Sequence, residues 1–193
     1  MRVAYLDIET NYVGSYTSDD QRFFRDSVNH QITVLGVRVM DGDSDELVQL
    51  FDKEVNRARL VEALAGTKKI VTYNGRSIPD AIKNRVGFDF PVIAAQLGIV
   101  LDKEFSHLDL CPECWKKNLY GGQKKVEQKL GLRREFPERE GAWAMEAYRA
   151  YMKTGEERLR SELLAYNKED IFMLRELEIK LAALDSKPQK YGP

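Results

Sequence analysis

Apolar positions along the chain follow two periods, and the switches between them mark out the elements. Val3-Ala4-Tyr5-Leu6-Asp7-Ile8-Glu9-Thr10 is an apolar run that leads into two carboxylates two residues apart. Strand side chains alternate with a period of 2, so this stretch reads as a buried strand with Asp7 and Glu9 on one face. Residues 31–39 are rich in β-branched side chains and stop at Asp41-Gly42-Asp43, a turn signal ahead of a second such run over 46–51. Two antiparallel strands joined by that turn are predicted. Val55, Ala58, Leu60, Val61 and Leu64 then recur at helical spacing, predicting a helix over 54–65 that Gly66 stops. Residues 69–73 form a short apolar strand ending at the Asn74-Gly75 turn.

Three strands, a helix and a strand imply an α/β fold with a mixed sheet, parallel where the helix crosses over. Residues 11–29 are polar and aromatic and read as an irregular excursion beside the carboxylates. Residues 78–98 read as helical in two pieces, broken around Gly87 and Pro91, with Pro91 in the first turn of the second piece. A short strand over 106–110 follows, then helices over 112–119, 123–130, 141–152 and 156–184. The last carries an apolar stripe of Leu159, Leu163, Leu164, Ile171, Leu174, Leu177 and Leu181.

With 193 residues, 43% hydrophobic and 32% charged, the chain suits one domain over 1–185, followed by a loose polar tail over 186–193. A formal net charge of -1 provides no global basic field, so any nucleic-acid contact has to come from a local patch. No apolar run is long enough to span a bilayer and no charged-then-apolar leader follows Met1, so a cytoplasmic location is expected. Two cysteines make no disulfide scaffold.

Paired carboxylates at a strand end repel one another and lose hydration, so they persist where a cation or a proton compensates them. Hard divalent ions prefer such oxygen ligands. Two further acids stand where a sheet-and-helix fold could bring them to the first pair. Asp89, in Phe88-Asp89-Phe90-Pro91, opens a helix, where first-turn amides favour an anion and an ordinary cap is the simpler reading. Asp170 lies four residues after Tyr166 in the long helix, placing phenol and carboxylate on one face. Ala165 and Ile171 to Leu174 make that region apolar, so a solvated Asp170 is disfavoured and the acid needs a partner.

Taken in order, Asp7-x-Glu9, Asn74-Gly75 with Phe88-Asp89-x-Pro91, and Tyr166-x-x-x-Asp170 resemble the three motifs of the DnaQ-like 3′–5′ exonucleases, which have the ribonuclease-H-like fold. The closer resemblance is to stand-alone ribonuclease-H-like exonucleases, which also carry an H-x-D-L strand, here His107 to Leu110. The resemblance implies that Asp7, Glu9, Asp89 and Asp170 hold two Mg²⁺ or Mn²⁺ ions, with Tyr166 marking the tyrosine subtype. In that scheme Asp7 bridges both ions, Glu9 and Asp170 complete the first, Asp89 supports the second, and the Tyr166 hydroxyl orients the attacking water. It further implies single-stranded DNA or RNA as substrate, with Thr10, Asn74 and Gly75 as candidate nucleic-acid contacts, to which a locally basic segment adds Lys124 and Lys125. One departure from the pattern is the stretch from Arg76 to Gly87 between the Asn-Gly and Phe-Asp pairs, which makes Asp80 a rival to Asp89. Asp89 is preferred because it keeps its flanking Phe88 and Pro91.

Trp115-Lys116-Lys117, Lys124-Lys125, Lys129 and Arg133-Arg134 make one segment locally basic. A solvated helical face is the simpler reading, and aromatics among lysines would also suit a single strand. Cys111-Pro-Glu-Cys114 has zinc-like spacing, but only His30 and His107 remain as histidines to complete four ligands, so ordinary thiols are expected. The classes competing with a nuclease are therefore a non-catalytic nucleic-acid-binding or scaffold module on the same fold and, more weakly, a zinc-dependent interaction module.

Overall fold

A computed structural model describes residues 1–14, 26–76 and 87–185. Most of the irregular excursion, the first helical piece after Asn74-Gly75 (with Asp80) and the tail beyond Asp185 lie outside the described residues.

The strands are β1 (Val3–Tyr12), β2 (His30–Asp41), β3 (Ser44–Phe51), β4 (Lys69–Thr72) and β5 (Ser106–Asp109). They form a five-stranded sheet in the order β3-β2-β1-β4-β5, with β1, β2 and β3 antiparallel and β4 and β5 parallel to β1. This is the mixed sheet that the strand order predicts. The helices are α1 (Arg57–Ala63), α2 (Asp89–Leu97), α3 (Leu101–Glu104), α4 (Leu110–Lys116), α5 (Gln123–Lys129), α6 (Gly141–Thr154) and α7 (Glu157–Asp185). The helix expected over 54–65 starts later, because Asp52–Glu54 form a 3-10 turn and the Asn56 side chain accepts the Arg59 N–H as an N-cap. Likewise α4 starts two residues early, because Asp109 caps it by accepting the Cys111 N–H.

Alternation along β1 sends its side chains to two layers. Ala4, Leu6 and Ile8 join Leu60 of α1 and Phe90, Val92 and Ile93 of α2 in one core. Tyr5 faces the opposite layer with Val71, Cys114, Val126, Ile171, Leu174 and Leu177. A third cluster seats α6 on the first half of α7 through Ala144, Ala147, Tyr148, Leu163 and Tyr166. Each fully buried leucine or isoleucine of these layers contributes roughly 1.5–3 kcal/mol of transfer free energy.

α7 crosses the sheet where β2 has no side chain. A Cβ on Gly36 would lie 2.2 Å from Ile171 Cδ1 and 2.3 Å from Asn167 Oδ1, so only glycine lets the helix come this close. Gly36 pairs with Asp7 on one side and Gln49 on the other. The close approach therefore brings the α7 residues Asn167 and Asp170 over Asp7 and Glu9, midway along β1.

Candidate active site

The parallel pairing of β1 with β4 covers only Val3–Tyr5, while β1 itself runs on to Tyr12. Asp7 and Glu9 thus sit beyond the last pair, with β2 on one flank and the departing end of β4 on the other. Such a crevice at the carboxyl ends of parallel strands is where α/β folds place their sites.

β4 leaves through the Asn74-Gly75 turn, whose sharpness has two causes. Asn74 takes a left-handed conformation at φ 63°, which asparagine tolerates, and a Cβ on Gly75 would lie 2.2 Å from Thr72 Oγ1. The carbonyls of Asn74 and Gly75 then accept the Phe88 and Phe90 N–H groups at 2.8 and 2.9 Å. Asp89 therefore starts α2 directly beside the turn. Asp89 is buried and close enough to Asp7 and Glu9 to raise the pKa of both.

On α7 the apolar stripe passes through Leu163, Ile171, Leu174 and Leu177, and Tyr166, Asn167 and Asp170 fill the same buried face between them. Polar groups are thus inserted into an otherwise apolar seam. Asn167 Nδ2 donates to Asp7 Oδ2 at 2.9 Å, and Asn167 Oδ1 accepts from Gln49 Nε2 at 3.0 Å. The Asp7 carboxylate is aimed by that relay.

One oxygen each from Asp7, Glu9 and Asp170 lies within 4.8 Å of the others; Glu9 and Asp170 are buried and Asp7 is partly exposed. Burial pushes the Asp7 carboxyl well above the usual range, and the neighbouring Glu9, Asp170 and Asp89 push it further. Glu9 is raised by burial and by Asp170, and Asp89 by burial and by Asp109. Asp170 is also raised by burial, against the pull of Arg134 and Lys124. A buried set of hard oxygens whose repulsion the nearby side-chain cations offset only in part fits one or more divalent cations, with Asp7, Glu9 and Asp170 as first ligands.

Burial raises the Tyr166 hydroxyl too, with Glu9 and Asp170 adding to it, so it stays protonated across the physiological range. Lys124 Nζ donates to Tyr166 Oη at 3.1 Å and lies 4.3 Å from the ring centre. Gln123, Lys124, Lys125, Glu140, Tyr166 and Asp170 help line a cavity of about 350 Å³, which Asp170 alone of the clustered acids borders. Lys124 is half-buried there, which lowers its pKa, and Lys125 is exposed at the edge.

The other sequence-predicted residues take different places. Thr10 is buried with its hydroxyl 2.9 Å from His30 Nδ1. His107 Nε2 lies 2.9 Å from Thr72 Oγ1, and Asp109 accepts the N–H groups of Asn74, Cys111 and Arg76 at 2.8, 3.0 and 3.3 Å. Both act structurally, at the edge of the site. Cys111 and Cys114 are buried thiols, and the one cluster of potential ligands among the described residues contains neither. Burial pushes the Cys114 thiol up to about 12.

The basic segment departs from the solvated-face reading at Arg134, whose side chain is only 4% exposed and pairs with Glu127 and Asp170. From the sequence, Arg134 reads only as part of the basic run, and Asn167, Gln49 and Glu127 carry no assigned role. Asn167 alone had a signal, since it occupies a stripe position of α7.

A family model of the RNase H superfamily matches residues 4–182. The chain belongs to the RNase H superfamily. Membership implies nucleic-acid substrates and nuclease-type chemistry, and nucleases of the superfamily usually use divalent metals. The match runs from the second residue of β1 into α7, so Asp7, Glu9, Asp89 and Asp170 all lie within it. No curated protein matched the sequence. No helix among the described residues is long and apolar enough to cross a membrane.

Proposed function

We propose that this RNase H superfamily member is a 3′–5′ exonuclease that hydrolyses phosphodiester bonds of single-stranded DNA or RNA with two Mg²⁺ or Mn²⁺ ions. The observation that carries the reading is the convergence of Asp7, Glu9 and Asp170 oxygens within 4.8 Å beside a protonated tyrosine. Asp7, Glu9 and Asp170 would hold one cation, and Asp89, with Asp7 between the sites, would support the second. When bound, divalent cations favour deprotonation of water and offset the charge of a phosphodiester as it divides. The protein's own groups supply the rest.

Asn167 fixes the Asp7 carboxylate, so that ligand enters the reaction already oriented. Tyr166 acts as a hydroxyl and not as a phenolate: its proton orients the attacking water by hydrogen bonding. Lys124, which also donates to the Arg139 carbonyl, lies along Tyr166 at the cavity, where its ammonium would meet a substrate phosphate, and exposed Lys125 would extend the same basic edge. Polarity from the 3′ end and preference for a single strand rest on the ordered motifs and their resemblance to DnaQ-like enzymes.

The deciding experiment is incubation of end-labelled single-stranded DNA and RNA with Mg²⁺ or Mn²⁺, alongside EDTA and Asp7→Asn controls. A ladder shortening from the 3′ end and lost in both controls is expected. Intact oligonucleotides that the protein still binds would favour a non-catalytic module.

A further inference from the structure

Glu127 and Arg134 form a buried ion pair to which the proposed mechanism gives no part. Glu127 is 1% exposed, and Arg134 Nε and Nη2 donate to its two carboxylate oxygens at 2.5 and 2.8 Å. The remaining arm, Nη1, donates to Asp170 Oδ1 and lies 3.6 Å from Glu169 Oε2. Replacing a buried ion pair by apolar groups of similar volume is often neutral or stabilising, so fold stability alone is a weak reason for this one. Its position is more informative, because the guanidinium fork is spent on Glu127 and a single N–H reaches Asp170.

We propose that the Glu127–Arg134 pair is a positioning device for Asp170, holding it as a ligand that offers one oxygen to a divalent cation while the other stays with Arg134. This rests on the reading of Asp170 as a metal ligand. A lone arginine would grip the carboxylate with both arms and compete with a cation for it, since fork-to-fork pairing is the strong geometry for these groups. Glu127 weakens both effects: it occupies the fork, and its charge opposes part of the pull that Arg134 exerts on Asp170. The surrounding segment is fastened to α7 as well. Gln123 Nε2 donates to the Asp170 carbonyl at 3.0 Å, and Glu169 accepts the N–H groups of Glu135 and Phe136.

The test is calorimetric binding of Mn²⁺ alone to the full chain, with thermal melts as a folding control. Glu127→Gln releases the fork onto Asp170, and Mn²⁺ affinity is expected to fall by roughly 10- to 100-fold, the usual cost of losing a group that orients a ligand. Arg134→Lys keeps every charge and loses only the fork. It is expected to weaken Mn²⁺ binding about tenfold and to raise the Mn²⁺ concentration for half-maximal hydrolysis while leaving kcat at saturating Mn²⁺ much less changed. A purely structural pair would lower the melting temperature and leave Mn²⁺ affinity of the folded protein within about twofold of wild type, which overturns the proposal. If Glu127→Gln does not fold, Arg134→Lys decides alone. Wild-type protein that binds no Mn²⁺ would instead refute the reading of Asp170 as a ligand, and the positioning role with it.

Discussion

Two acids on parallel strands of this sheet, Asp7 in β1 and Asp109 in β5, differ in their surroundings. Asp109, at the end of β5, accepts three backbone N–H groups and thereby ties the Asn74 turn to the start of α4. Asp7, midway along β1 and beyond its pairing with β4, has the Asn167 amide as its side-chain donor and faces Glu9, Asp170 and Asp89. An acid surrounded by donors is a structural joint. An acid surrounded by other acids costs stability in the absence of a cation, and that cost separates a site from a scaffold.

Exchanging the charge at each acid tests the contrast. Asp7→Asn keeps an acceptor for Asn167 and removes one repelling charge. Hydrolysis is expected to drop on the order of 10³-fold or more, since several kcal/mol of cation-dependent stabilisation are lost. In EDTA the same variant should melt at or above the wild-type temperature, because a repulsive buried anion has gone. An active Asp7→Asn protein, or one that melts well below wild type, would contradict the assignment. Asp109→Ala has the opposite profile. Three N–H groups lose their acceptor, so urea denaturation should show a loss of about 2–3 kcal/mol, with Mn²⁺ affinity reduced far less than in Asp7→Asn. A stable Asp109→Ala protein that no longer binds Mn²⁺ would reverse the two roles.

Gly36→Ala separates geometry from charge. Its Cβ would collide with Ile171 and with Asn167, the residue that orients Asp7, without touching a carboxylate. Overpacking of this kind costs about 1–3 kcal/mol. Because Asn167 must move, activity of the folded protein should fall too, and full activity in the folded variant would show that the Asn167 relay does not matter.

Much of this arrangement is legible in the sequence because it follows from period. The alternation that puts Asp7 and Glu9 on one face of β1, the turn at Asp41-Gly42 and the stripe of α7 are each set by near neighbours. Tyr166 and Asp170 were found because they interrupt an apolar face. What escaped depends on distance along the chain. α5 spans seven residues and reads as polar, so nothing local marks Glu127 as buried; it becomes so because Val126 anchors the helix against α7. Arg134 sits in a basic run that resembles a solvated face until Asp170 and Glu127 close around it. Asp89 was harder to place because residues 76–87 separate it from its motif, a gap bridged by hydrogen bonds from Phe88 and Phe90 to the Asn74-Gly75 turn.

The smallest expected effect is a pH dependence that Asp7 and its neighbours produce. The carboxyls of Asp7, Glu9, Asp89 and Asp170 are all raised in the fold, whereas unfolded carboxyls titrate near pH 4. Between those values the native protein binds more protons than the unfolded chain, so unfolding free energy falls as pH rises. In EDTA the cluster's contribution should therefore be most favourable below the unfolded carboxyl range of about pH 4 and should be lost as pH climbs through the raised native values. Mg²⁺ or Mn²⁺ competes with protons for the same oxygens, so added cation should stabilise the protein more at pH 8 than at pH 5. Melting curves at the two pH values, with and without cation, measure this directly. In Asp7→Asn the cation effect and its pH dependence should both shrink, and in Asp109→Ala both should persist on a lower baseline. A cation effect that is equal at the two pH values would mean that the ions bind elsewhere than the raised carboxylates.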